Sequence, residues 1–210
     1  LLVFVLLQLG SGNRSYKEHL EFLLEHTGGV DVLYEFSSQA TDTDRLSPSI
    51  SIRGKALISK AEYLFQVIRE TLTTVDFSDI ARLKELLMQH AESLTNSVRN
   101  SPMGYAVSLA CCNKSIAGGL AYQMAGLPYV KYIRELLSNF DSQAQEIIDR
   151  LQTLYKKCFV GRRQLVISSS KANYQVLHDQ RFFGLLDERL EGGELWKNPV
   201  LDVVKDSRGI

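Results

Sequence analysis

The sequence has no excess of charge of either sign, and this balance excludes one broad class of partner. Its 210 residues contain 24 Lys and Arg against 24 Asp and Glu. A protein that binds nucleic acid or an anionic membrane surface electrostatically needs a cationic surplus to neutralise phosphates. We therefore expect neither nucleic acid nor a membrane among the partners of this chain.

Cysteine is scarce as well, and the three cysteines are poorly spaced for a disulfide or zinc framework. Cys111 and Cys112 are adjacent, and Cys158 lies much further along the chain. Cysteine pairs that bind zinc are usually separated by about two to four residues. The pattern is typical of buried free thiols in a reducing compartment.

No hydrophobic run is long enough to cross a membrane. The most apolar stretch, residues 1–9, has one polar residue, Gln8. A transmembrane helix needs about 20 apolar residues, and a signal peptide needs a basic segment before its apolar one. We interpret residues 1–9 as part of a buried element, and both chain ends as cuts within a longer protein.

Residues able to hydrolyse a bond are few, and their spacing does not suit the task. Neither order of the helical zinc motif with two His and one Glu occurs. His19 and His26 lie about two helical turns apart, too far to share one zinc ion, and their Glu neighbours predict surface positions. The serines of Ser168–Lys171 have a nucleophile-like spacing to the lysine but favour a helix N-cap. We predict no catalytic and no metal-binding residue in this chain.

Periodicity and capping signals predict an α+β fold. Ser15 and Glu18 have the spacing of a capping box, and Val30–Phe36 alternates like a strand with one face more buried. A polar turn at 37–48 would join that strand to an antiparallel partner near Ile50. The remaining elements are helices at 61–72, 79–98, 102–125, 129–137 and 141–154, a short strand at 164–168 and a helix at about 170–190. We expect a mixed or antiparallel sheet covered by helices on one side.

One domain boundary is predicted near the end of the chain. Residues 191–210 include Gly192, Gly193 and Pro199, which interrupt regular structure. We expect residues 1–190 to form one domain, and 191–210 to be a linker into the next domain.

The segment 18–44 contains seven acidic residues and no Lys or Arg. A solvated helix face with polar loops explains such a run. A patch that attracts basic peptides is the functional alternative, with Glu18, Glu21 and Asp31 as candidate substrate-binding residues.

Five short stretches carry a resemblance to a known family. They are Gly54–Leu57, Val75–Asp79, Arg82–Leu87, Tyr105–Ala110 and Gly126–Val130. They resemble the presequence-protease branch of the pitrilysin/insulinase group, whose members are inverzincin zinc metallopeptidases. The likeness covers nearly the whole chain and is to the third of that branch's four homologous domains. It implies a pitrilysin-like metallopeptidase domain.

The resemblance also implies where an active site has been lost. In the first domain of the group, a helix carries the His-x-x-Glu-His zinc motif. Aligning the end of the equivalent helix here with residues 9–11 places Leu1, Phe4 and Val5 at the positions of the two histidines and the glutamate. None of the three side chains can ligate a metal or activate water. The expected domain is non-catalytic, without a cofactor of its own, and zinc belongs to another part of the parent enzyme.

By the same resemblance, the parent is a zinc metalloendopeptidase that degrades targeting peptides and other short unstructured peptides. This domain would form part of the wall of an enclosed substrate chamber, and its partners would be the remaining domains and the peptides. The expected location is a reducing, soluble compartment, either the bacterial cytoplasm or an organelle matrix or stroma. Two alternatives stay open: a non-enzymatic scaffold of the same fold, as in core subunits of a respiratory complex, and a stand-alone module that binds peptides at its sheet edge.

Overall fold

The computed structural model describes residues 1–39, 41–159 and 164–185. The predicted linker at 191–210 and the boundary at residue 190 lie outside these residues. The helices are α1 (Leu2–Val5), α2 (Tyr16–His26), α3 (Ala61–Thr73), α4 (Ile80–Asn100), α5 (Pro102–Cys111), α6 (Ile116–Ala125), α7 (Leu127–Ser138), α8 (Phe140–Cys158) and α9 (Lys171–Asp179). The strands are β1 (Gly10–Ser11), β2 (Val30–Gln39), β3 (Asp42–Gly54) and β4 (Val75–Asp76).

Helix α2 begins as the sequence predicts. The Glu18 carboxylate accepts a hydrogen bond from the backbone N–H of Ser15 at 2.8 Å, and the Ser15 hydroxyl accepts from the backbone N–H of Glu18 at 3.5 Å. This reciprocal pair satisfies two N–H groups that a helix terminus leaves free. The helix ends before Gly28, and Gly29 adopts a φ of 128°, which a glycine reaches without steric cost.

Strands β2 and β3 form a long antiparallel hairpin with Val32 opposite Ile52 and Tyr34 opposite Ile50. The predicted polar turn at 37–48 is wrong, because most of this segment continues the two strands. Backbone hydrogen bonds maintain a ladder whether or not its side chains alternate in polarity. On one face, Val32, Ile50 and Ile52 contact the core, while Asp31 on the other face is exposed.

The helical character predicted for the middle of the chain is confirmed. The Asp79 carboxylate caps α4 by accepting from the backbone N–H of Arg82 at 2.9 Å. Pro102 and Pro128 stand in the first turns of α5 and α7, where a missing N–H costs nothing. The single helix predicted at 102–125 is in fact two, α5 and α6, because the Ser115 hydroxyl starts α6 by accepting from the backbone N–H of Gly118 at 3.0 Å. Gly126 separates α6 from α7, as the sequence predicts.

The main hydrophobic core joins α1, α4, α7 and α8 to the inner face of the hairpin. Residues 1–9 supply much of it, since Val5, Leu6 and Leu9 are fully buried. A smaller core connects Phe65 of α3 with Leu177 of α9. The α+β class is confirmed, with antiparallel pairing in both two-stranded sheets that the described residues form, β1 with β4 and β2 with β3.

The C-terminal part differs from the prediction in two ways. Residues 164–168 run without regular structure and pair as a strand with none of the described residues. The helix predicted at about 170–190 ends at Asp179, and a 3₁₀ turn follows at Arg181–Gly184. Its N-cap is confirmed, because the Ser170 hydroxyl accepts from the backbone N–H of Asn173 at 3.3 Å.

Candidate functional site

A large cavity lies between the β2–β3 hairpin and the helices that cover it. Its volume is about 1930 Å³. Helices α1, α3 and α8 and the segment 164–169 complete its wall. Because cavities lined by apolar side chains with a few polar groups are where proteins usually bind other molecules, we take it as the candidate site.

The structure separates the three positions at which the sequence places a lost zinc motif. Leu1 and Phe4 line the cavity, whereas Val5 is fully buried in the main core. All three therefore serve packing. No group of three or more His, Cys, Asp or Glu able to hold a metal occurs among the described residues. The residues present at Leu1, Phe4 and Val5 do not fit a zinc ion, and we assign no metal-dependent step to them.

Phe4 instead belongs to an aromatic cluster that the sequence did not reveal. Its ring stacks on His90 of α4, with the ring centroids 4.2 Å apart. A hydrogen bond of 2.8 Å joins His90 Nε2 to the hydroxyl of Tyr129 on α7. These three residues come from three helices distant in sequence, so no local pattern could have brought them together.

Burial keeps this cluster uncharged. Desolvation, helped by the positive amino-terminal group, lowers the pKa of His90 to about 4. Desolvation also raises the pKa of the Tyr129 hydroxyl above its ordinary value. Near neutral pH both groups are neutral, so the cluster offers hydrogen bonding and an aromatic surface to the cavity but no charge.

The predicted acidic residues lie away from this cavity. Glu18 and Glu21 are exposed on α2, and Asp31 is exposed at the start of β2, opposite Arg53 in the hairpin register. The capping contacts with Ser15 lower the pKa of Glu18, so its carboxylate remains charged. None of the three lines the cavity wall, and their role in binding substrate stays a prediction.

The prediction that His19 is a surface residue is wrong. His19 is 0% exposed, and neither ring nitrogen has a hydrogen-bond partner among the described residues. Desolvation and then the charge of Arg14 lower its pKa, while Glu70 acts in the opposite direction. An ion pair joins Arg14 to Glu70 beside it. His26 is partly buried, with Nδ1 3.0 Å from the Lys60 ammonium.

The expectation of buried thiols holds for one cysteine of the three. Cys112 is buried, whereas Cys111 and Cys158 are exposed, and all three are free. Cys111 and Cys158 are the last residues of α5 and α8. A helix terminus has fewer neighbours to cover it than a helix centre, and the sequence did not show which side of each terminus is packed.

The helices that the structure describes include none that is both long and apolar enough to span a membrane. This finding concerns residues 1–39, 41–159 and 164–185 alone.

Comparison with known proteins identifies the class of this domain. The model of the family described as associated with peptidases of family M16, subfamily C, matches residues 1–136, more than half of the chain. The chain belongs to this family of peptidase-associated domains.

Its relatives include presequence proteases. The chain is 25% identical over 192 residues to Presequence protease 1, chloroplastic/mitochondrial, of Arabidopsis thaliana, covering 90% of this chain and 18% of that protein. It is 27% identical over 198 residues to the mitochondrial presequence protease of Saccharomyces cerevisiae, covering 92% of this chain and 20% of that protein. The chain thus spans about a fifth of the length of these relatives.

Proposed function

We propose that this chain is a non-catalytic domain of a zinc metalloendopeptidase that degrades targeting peptides and other short unstructured peptides. It forms part of the wall of the chamber in which the enzyme encloses its substrates. The family match over residues 1–136 carries the proposal. The named relatives are presequence proteases, which favours this role over a respiratory-complex scaffold.

The side chains of α1 support the non-catalytic part of this proposal. Leu1, Phe4 and Val5 are hydrocarbon side chains, and Val5 is fully buried. Metal-dependent peptide hydrolysis needs ligands with lone pairs and a base close to the metal-bound water. A chain with these residues contributes shape to the enzyme, and the chemistry belongs elsewhere.

The relatives' names also bear on location. Both are named as mitochondrial or as chloroplastic/mitochondrial proteins. We place the parent of this chain in an organelle matrix or stroma, where imported proteins release their targeting peptides.

The exposed acids provide the test of the wall's contact with substrate. Targeting peptides are rich in Arg and poor in acids, so Glu21 and Asp31 would attract them if they face the chamber. We expect Glu21→Lys with Asp31→Lys, in the product of the complete gene, to lower kcat/KM for an Arg-rich peptide by about tenfold through lost electrostatic attraction. Glu18→Gln adds to the charge change and keeps a side chain that can complete the capping box.

Two controls make this test specific. Glu92→Lys alters an exposed acid outside the segment 18–44 and is expected to leave kcat/KM unchanged. A peptide of the same length without charge should be cleaved equally by all variants. Unchanged cleavage of the Arg-rich peptide by the Glu21 and Asp31 variants would remove the acidic segment from the chamber wall.

A further inference from the structure

One side of the cavity is the free edge of strand β3. Every residue from Pro48 to Gly54 lines the cavity, whereas β2 contributes mainly the alternate residues Val32, Tyr34 and Phe36. A strand that presents one face shows every second residue, and a strand that presents its edge shows all of them. Within the part of the chain described, β3 pairs with β2 alone. Its outer N–H and C=O groups therefore point into the cavity.

A second extended backbone borders the same cavity. All residues of 164–169 line it, and none of their main-chain groups bonds to the backbone of another described residue. Leu165 and Ile167 pack against the smaller core, while Val166 between them is 80% exposed. This is the alternation of a strand that lacks its neighbour. The cavity is thus bordered by two backbone edges that can still form hydrogen bonds.

The floor between these edges is apolar. It is formed by Leu64, Phe65 and Ile68 of α3 and by Leu151 and Leu154 of α8. A strand laid over this floor would bury every second side chain and expose the others. The complementary occupant is an amphipathic extended peptide.

The charges around the cavity argue against a basic peptide. Four basic residues, Arg53, Lys55, Arg150 and Lys157, line the wall against one acid, Glu35. Glu35 is already occupied, since it pairs with Arg53 and accepts a hydrogen bond from the Ser51 hydroxyl at 2.7 Å. An Arg-rich targeting peptide would be repelled here. A permanent occupant also suits a cavity of this size, because protein interiors are close-packed.

We propose that an amphipathic β-strand from another part of the longer polypeptide fills this cavity and pairs with β3 and with residues 164–169. The known relatives are about five times as long as this chain, so such a polypeptide has ample sequence to supply it. The strand joins the hairpin and the 164–169 segment into one sheet. This inference does not depend on the chamber role, since a scaffold of the same fold needs the same strand.

A synthetic strand tests the edges in the 210-residue chain. The probe is a fluorescent peptide of about seven residues that alternates Val and Thr, near the ordinary length of a strand. We expect it to bind the monomeric chain, and a copy with alternate backbone nitrogens methylated to lose about tenfold or more in affinity because hydrogen bonds to the edges are removed. Equal binding of the methylated copy, or no binding to the folded monomer, would overturn the proposal.

Two variants separate the cavity from the rest of the surface. Leu154 is 49% exposed and lies on the floor, so Leu154→Asp should abolish binding without unfolding the chain. Leu24 is 84% exposed and lies outside the cavity, and Leu24→Asp should leave binding unchanged. Equal binding by both variants would place the peptide elsewhere and overturn the proposal.

The product of the complete gene tests the source of the strand. If its own strand fills the cavity, this protein should not bind the probe, and amides of 164–169 should exchange with solvent much more slowly than in the 210-residue chain. Equal probe binding by the two proteins would show an open groove for other peptides. A dimer of the 210-residue chain that excludes the probe would show that a second copy is the occupant. Either result would overturn the proposal.

Discussion

At the scale of single residues, burial decides what each histidine does. His19 and His90 are shielded from water and have lowered pKa values, whereas the side chain of His178 is 60% exposed. The sequence showed acidic neighbours beside His19 but did not show which face of α2 is covered. Packing around β1 and α3 buries His19, while the apolar Leu24 on the same helix remains exposed.

Burial of His19 predicts that acid destabilises the fold. Its pKa is lowered in the folded chain from an ordinary value of 6.5. Between the folded value and 6.5, the unfolded chain binds more protons, so the free energy of unfolding rises with pH across this window. One such group contributes at most about 1.4 kcal/mol per pH unit. Urea unfolding at about pH 7 and about pH 5 should show lower stability at the acidic pH.

Variants assign this pH dependence to its source. His19→Phe should shrink the difference in unfolding free energy between the two pH values, and part of it should remain because His90 titrates in the same direction. His178→Phe, at an exposed site, is the matched control and should leave the difference unchanged. A His19→Phe protein with the full wild-type difference would contradict the account of a neutral buried histidine.

At the scale of elements, helix termini depend on local side-chain signals. Ser15, Asp79 and Ser170 each accept a backbone N–H at the start of a helix. Ser15→Ala should lower the free energy of unfolding by about 1 kcal/mol, because a helix N–H loses its acceptor. Ser15→Asp retains an acceptor and should restore most of the stability. Urea unfolding of the two variants checks this, and equal stability would mean that the cap contributes nothing.

Leucines of similar appearance in sequence differ sharply in the energy they supply. Leu86 of α4 is fully buried in the main core, and Leu24 of α2 is 84% exposed. Leu86→Ala should cost about 2–5 kcal/mol through lost contacts and a cavity. Leu24→Ala should change the unfolding free energy by less than about 0.5 kcal/mol. Similar losses in the two variants, measured by urea unfolding, would contradict the core described here.

The elements also show what sequence reasoning can and cannot recover. Helices were predictable because caps and breaks such as Asp79 and Gly126 act within a few residues. The length of the hairpin was not, because the apolar alternation stops at Phe36 while the ladder continues through its backbone to Gln39. Residues 164–168 carried a strand pattern, but pairing depends on a neighbour that their own sequence does not specify.

At the scale of the whole molecule, the chain has the fold of a working part without the groups for chemistry. The α+β class followed from the order of its elements, and the family followed from short stretches spread along the chain. The cluster of Phe4, His90 and Tyr129 could not be predicted, because tertiary packing joins residues separated by up to 125 positions. The cavity depends on the same long-range packing.

The absence of catalysis is the central claim, and metal analysis combined with a cleavage assay tests it most directly. The purified 210-residue chain would be dialysed against zinc, analysed for bound metal and incubated with a fluorogenic unstructured peptide, with and without a chelator. Because Leu1, Phe4 and Val5 supply no ligand or base, we expect far less than one zinc per chain and no chelator-sensitive cleavage. About one zinc per chain together with chelator-sensitive cleavage would contradict the account.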